Sequence, residues 1–126
     1  MSSAFADIER LLRQYFDALY YCDTEKLMTV FHPFAIYATA DESSFLYRTM
    51  DEYRLAIAER TSPASRGEVR RDIIHSIEQA GENTALARVG CAIGSRRFID
   101  FLSLVRVGGE WKIISKVFQI IEDPNS

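Results

Sequence analysis

Cysteine, histidine and unbroken apolar runs are all scarce in this chain, and each shortage removes a class of function. Of the 126 residues, two are Cys and two are His. Cys22 and Cys91 lie far apart and match no metal or redox spacing, so they read as buried free thiols. No cluster of His, Cys, Asp or Glu has metal-ligand spacing, so neither a metal nor a cofactor is expected. No glycine-rich loop leads from a strand into a helix, which removes the phosphate cradle of nucleotide-binding folds. Ser, Cys and His occur, but none is ordered as a nucleophile beside an oriented base. The N-terminal segment MSSAFADIERLLRQYFDALYY alternates apolar and charged residues and so lacks the ~20-residue apolar run of a membrane span or the core of a signal peptide. A cytoplasmic protein without a membrane partner is expected. Lys plus Arg number 15 against 18 Asp plus Glu, for a net charge of -3 and a pI near 5.4. No stretch concentrates positive charge as phosphate neutralisation requires, so nucleic acid is not an expected partner. Arg70-Arg71 and Arg96-Arg97 read as solvated strand ends.

What is present suits a self-sufficient core. The hydrophobic fraction of 48% and charged fraction of 26% need no disulfide staple, and the length fits one domain spanning 1–126. Phe5, Ile8, Leu11, Leu12, Tyr15, Phe16 and Leu19 recur at steps of three and four, with charged residues between them, which predicts an amphipathic helix. Asp23 caps a shorter second helix with Leu27, Met28, Val30 and Phe31 on one side, ending at about Phe31 because Pro33 disfavours helical geometry at His32. A hairpin of Phe34 to Ala40 and Ser44 to Arg48 follows, turning at Asp41-Glu42-Ser43. Thr49 and Glu52 form a capping box for a third helix, which ends before Pro63. Beyond the loop-like Thr61 to Gly67, four strands are expected: Val69 to Gln79, Thr84 to Ile93, Arg97 to Val107 and Trp111 to Ile121. Glycine-containing turns join them into an antiparallel meander.

Helices first and strands last place three helices against one face of one sheet, an α+β arrangement. Both faces of the last two strands are apolar. Alternation sets Ile99, Phe101 and Val105 against Phe98, Leu102 and Leu104, and Ile114, Phe118 and Ile120 against Trp111, Ile113 and Val117. Three helices cover one face, so the other needs a partner or stays an exposed patch too large for a typical monomer.

The long first helix with QYFDAL, the second ending in FHPFA and the terminal hairpin DFLSLVRVGGEWKIISKVF together resemble the nuclear-transport-factor-2-like superfamily. The likeness is greatest to its bacterial branch labelled lumazine-binding, near the SnoaL-like polyketide cyclases, and extends over nearly the whole chain. That resemblance implies a cone-shaped, strongly curved, mostly antiparallel sheet forming an α+β barrel, with the three helices on its concave face and a pocket between. It also implies a homodimer through the outer sheet face, here Phe98, Leu102, Leu104, Trp111, Ile113 and Val117. It supplies no reaction, because function belongs to the site and not to the fold.

The ketosteroid isomerases of that superfamily need a carboxylate base, a tyrosine donor and a protonated acid. By the resemblance Tyr15 falls at the donor, Thr39 at the base and Ser103 at the acid. A threonine hydroxyl does not remove a carbon-bound proton at neutral pH unaided, which argues against that mechanism. Asp41 is two residues beyond Thr39, in the turn. His32 is a helix-end residue or a base, and His75 shares a strand face with Ile73 and Ile77. Lys116 shares a face with Phe118, which the resemblance places inside the cone, where it either binds an anionic or carbonyl-bearing ligand or pairs with a carboxylate. Asp100, opposite to Phe101 and Ser103, falls on the dimer side unless a bulge reverses it. The expected pocket is therefore Tyr15, Leu19, His32, Tyr37, Thr39, Phe101, Ser103, Lys116 and Phe118. The reading preferred from sequence is a pocket for a small hydrophobic or aromatic molecule. Its alternatives are a cofactor-free lyase, isomerase or cyclase using Lys116, His32 or Asp41, and a homodimeric protein-interaction module.

Overall fold

The first helix, α1 (Ala4–Tyr21), buries the stripe from Ile8 to Leu19 that its periodicity marks out. It stops where Cys22 adopts a left-handed backbone (φ 50°) and Asp23 N–H returns to the Ala18 carbonyl at 2.9 Å. Asp23 then caps α2 (Thr24–Val30), its carboxylate accepting from Lys26 N–H. These elements come from a computed structural model, which describes residues 4–122.

Strand β1 (Phe31–Thr39) begins directly at the end of α2, three residues earlier than the sequence suggested. Pro33 is accommodated because the β1 pairing is interrupted between Phe31 and Ile36, where no ladder N–H is required. His32 accordingly sits within an irregular strand, its Nδ1 accepting from Phe34 N–H at 3.0 Å. Strand β2 (Leu46–Thr49) folds back on β1, and Thr49 caps α3 (Met50–Glu59) in the expected capping box. Glu52 is held below its ordinary carboxylate pKa mainly by the Thr49 backbone hydrogen bond. A single turn of 3-10 helix over Ala64–Arg66 precedes the meander of β3 (Ile73–Ala80), β4 (Thr84–Ile93), β5 (Arg96–Val107) and β6 (Glu110–Glu122).

The six strands form one curved sheet in the order β2-β1-β6-β5-β4-β3, antiparallel except for the parallel β1–β6 pair. The fold is α+β with helices and sheet sharing a single hydrophobic core. The sheet is open, with β2 and β3 at its edges, so the expected barrel closure does not occur. Among the described residues no helix is long and apolar enough to cross a membrane.

One irregularity decides which side chains reach the core. From the Gly108-Gly109 turn, Val107 pairs with Glu110, Arg106 with Trp111, Val105 with Lys112 and Leu104 with Ile113. The next pair is Ser103 with Ser115, so Ile114 is an extra residue in β6. Trp111 and Ile113 before the bulge and Lys116 and Phe118 after it therefore all face inward. Uninterrupted alternation would have put the two groups on opposite faces.

Candidate functional site

Phase is the main correction to the sequence reading. Leu102, Leu104, Trp111 and Ile113, expected at a dimer surface, are buried in the core beneath the helices, and Phe98 packs against them. Of the six expected interface residues only Val117 faces outward, at 47% exposed. Phe101 and Ser103, expected in the pocket, belong instead to the outer face, where Phe101 is 50% exposed and stacks beneath Arg88. Apolar residues on both faces define an alternation without telling which phase points inward, and the bulge at Ile114 shifts it halfway along β6.

The inward phase brings Asp100 to the centre of the molecule. It is wholly buried, and Tyr15 from α1 donates to its Oδ2 at 2.6 Å. Lys116, 5% exposed, lies on the same face of the neighbouring strand, its Nζ 3.9 Å from that oxygen and donating to Tyr53 of α3 at 3.1 Å. In the ladder Asp100 stands opposite Phe118 and Lys116 opposite Leu102, so the two charges are diagonal neighbours. Four aromatic rings surround the ammonium, those of Tyr15, Tyr37, Tyr53 and Phe118, with centroids 5.2 to 5.4 Å away. Each ring presents its electron-rich face to a cation removed from water. The rings pack on one another, Tyr37 against Tyr53 at 4.4 Å and against Phe118 at 4.7 Å.

Burial pulls the Lys116 pKa down, but Asp100 foremost among its neighbours outweighs that and holds it above its ordinary value, so the amine stays protonated. Tyr15 is raised, first by burial and then by the Asp100 charge, and stays a neutral donor. Burial likewise raises Tyr53 and pushes the Cys91 thiol up to about 12. Asp100 Oδ1 has no hydrogen-bond partner among the described residues. Such an oxygen is costly to bury, and native folds leave few of them.

From Lys116 a narrow cleft of about 10 Å³ leads outward between Leu19, Tyr37, Arg60, Cys91, Ile93, Phe98 and Phe118. The structure thus brings together five expected pocket residues, Tyr15, Leu19, Tyr37, Lys116 and Phe118. Thr39 is buried nearby as a structural tie, donating to the Phe118 carbonyl at 2.7 Å and accepting from Asp41 N–H. Asp41 is exposed and accepts from Ile120 N–H at 2.9 Å, so it pins the end of β6. His32 is engaged at Phe34, and His75 is exposed on β3. Sequence reasoning missed Tyr53 and misplaced Asp100. A signal existed for the second, since Asp100 and Lys116 are lone charges in the apolar strands IDFLSL and IISKVF, and lone opposite charges on adjacent strands predict a pair. Among the described residues no group of three or more His, Cys, Asp or Glu side chains could hold a metal ion.

Solved structures share this architecture. A protein of unknown function from Silicibacter pomeroyi superposes with a TM-score of 0.81 at 24% identity, over 96% of this chain and 100% of that one. One from Shewanella baltica gives 0.83 at 21%, over 96% and 98%. Both are described as nuclear-transport-factor-2-like. A ketosteroid isomerase-like protein from Erwinia carotovora gives 0.76 at 12%, over 97% and 99%. At these identities the likeness shows the fold alone. No curated protein matches the sequence. The sequence profile of the family described as "Putative lumazine-binding" matches residues 3–119, and the chain belongs to that family.

Proposed function

We propose that this chain binds a small, flat, mostly apolar molecule in the cleft between sheet and helices, with Lys116 as its polar anchor. The observation that carries the reading is the Lys116 ammonium, enclosed by four rings at the inner end of a cleft and held 3.9 Å from Asp100. A buried pair of this kind adds little stability over apolar residues of the same volume, so the core has no structural need of it. The family's description, which names lumazine, supports a small-molecule role. Lys116 acts as a cation and hydrogen-bond donor and not as a base, because Asp100 keeps it protonated.

The cleft of about 10 Å³ has room for about one water, whereas ligand pockets run to ~300 Å³ and more. Binding therefore requires the rim to open, where Arg60, Ile93 and Phe98 are partly exposed. Native mass spectrometry of the purified protein tests the reading. A small molecule released on denaturation, which raises the melting midpoint when added back, is the expected result. A protein that carries nothing, and whose midpoint no aromatic fragment moves, sinks it.

A second reading concerns assembly. We infer that two copies pair through the outer sheet face, because Leu86, Phe101 and Val117 stand exposed on three adjacent strands. Sedimentation should show a dimer for the wild type and a monomer for Phe101→Asp, and a monomeric wild type at micromolar concentration defeats the inference.

A further inference from the structure

The cleft carries an unbalanced charge, which limits what can enter it, on the reading that a small molecule binds there. Two of the side chains lining it are cations, Lys116 and Arg60, and among the described residues none is a carboxylate. Lys116 is already answered by Asp100, which stands 3.9 Å from it and does not itself line the cleft. Arg60 is not answered. It directly follows α3, where its N–H donates to the Ile57 carbonyl at 3.2 Å, and its guanidinium has no ion-pair partner among the described residues. Burial raises the Cys91 thiol in the cleft wall, Asp100 and Asp72 add to the rise, and Lys116 and Arg60 oppose it, so these four charges converge there. Asp72 is taken by Arg70 at 2.7 Å. We propose that the ligand is a flat monoanion, an aromatic carboxylate whose acid group lies on Arg60 at the mouth of the cleft and whose ring extends inward toward Lys116.

The charge count selects the sign of the ligand. Lys116 and Asp100 sum to zero, which leaves the single positive charge of Arg60 for whatever enters. A neutral ligand seated in the cleft would take the guanidinium out of water with nothing to pair it, and an ammonium ligand would add a like charge. One negative charge closes the count. Position follows from the same charges, because a carboxylate set on the Lys116 ammonium would meet the repulsion of Asp100 beside it, whereas one at Arg60 meets none. The guanidinium also matches a carboxylate edge with two parallel N–H donors. Lys116 has three protons and one direct hydrogen bond, to Tyr53, and so keeps donors for a neutral oxygen at the inner end of the ligand. Between the two cations the rings of Tyr37, Phe98 and Phe118 offer faces and edges to a planar body.

Three probes of matched size test this on the full chain at neutral pH and constant ionic strength: benzoate, benzamide and benzylammonium, measured by NMR titration and by melting midpoint. Benzoate is expected to bind about tenfold or more tightly than the other two. Arg60→Gln removes the charge at a partly exposed position and keeps the backbone bond to Ile57, so the fold should survive. In that variant the advantage of benzoate over benzamide should shrink to about twofold or less, with benzamide binding unchanged. If benzamide binds wild type as tightly as benzoate, or benzylammonium binds tightest, the anion assignment fails while the pocket reading stands. A benzoate preference that Arg60→Gln leaves intact places the acid group elsewhere and overturns the proposal. If none of the three binds up to about 10 mM, the pocket reading falls and takes this inference with it.

Discussion

The inner and outer faces of β5 carry almost equal apolar character and opposite physics. Inward point Phe98, Asp100, Leu102 and Leu104, and outward Ile99, Phe101, Ser103 and Val105. The inner set is packed into the core and contains a charge, whereas the outer set is partly exposed and contains none. Hydrophobicity alone therefore does not identify the core side of a two-faced strand. Buried charge does, once its partner is found, because an ion deep in a fold needs an opposite ion within a few ångströms. Asp100 and Lys116 satisfy that condition on one face only.

The contrast predicts unequal responses to substitution. The largest concerns the pair itself: Lys116→Met keeps the apolar stem and leaves Asp100 buried alone, which should destabilise the fold by about 3 to 5 kcal/mol in chemical denaturation. Adding Asp100→Leu to Lys116→Met should recover most of that loss, since removing both charges removes the need for either. A Lys116→Met protein as stable as wild type would place the ammonium in bulk water and erase the distinction between the faces.

Next is the packing test. Leu102 is fully buried, so Leu102→Ala should cost about 2 to 5 kcal/mol through lost transfer energy and a residual cavity. Its sequence neighbour Phe101 is half exposed, and Phe101→Ala should cost under about 1 kcal/mol in chemical denaturation. Equal losses at the two positions would mean that the outer face is buried as deeply as the inner.

Tyr15→Phe should come third. Sequence reading allowed for a hydroxyl facing an open pocket, for which a loss of about 0.5 to 1.5 kcal/mol is typical. Its observed acceptor is a buried carboxylate at 2.6 Å, so about 1.5 to 3 kcal/mol is expected instead. A cost well under 1 kcal/mol would show that Asp100 finds another donor once the hydroxyl is gone.

Local chemistry was legible in the sequence, and long-range registration was not. Asp23 and the Thr49–Glu52 box announce helices because caps act within a single turn, and the glycine turns announce the meander because each hairpin closes over two or three residues. The parallel β1–β6 pairing joins segments some eighty residues apart and leaves no local mark. The bulge at Ile114 is equally silent, yet it carried the largest error. Continuing the register of Leu104 with Ile113 would set Phe101 opposite Lys116 and Asp100 opposite Val117, which is the sharing of faces the sequence reading assumed. One inserted residue turns this into Leu102 opposite Lys116 and Asp100 opposite Phe118, bringing the two charges to one side.

The smallest expected effect uses pH to separate the faces without disturbing their shape. Cys91 is an inner-face thiol raised by burial to about 12, whereas in the unfolded chain it titrates near ~8.5. Between those values the folded state keeps a proton that the unfolded state has lost, so stability falls as pH rises, by at most about 1.4 kcal/mol per unit from this one group. Tyr15 and Tyr53, also raised by burial, add losses of the same sign above their ordinary value near ~10. Lys116 behaves alike: its folded pKa is raised, so its contribution is complete below the unfolded value of ~10.4 and declines as pH climbs through the folded one. Between pH 9 and 10 the thiol should therefore dominate these inner groups. Cys91→Ala should flatten the dependence of unfolding free energy on pH in that interval, whereas Val117→Ser on the outer face should leave the slope unchanged. A slope indifferent to Cys91→Ala would mean that the thiol ionises in the folded protein as freely as in water, and the inner face would then be far wetter than its packing shows.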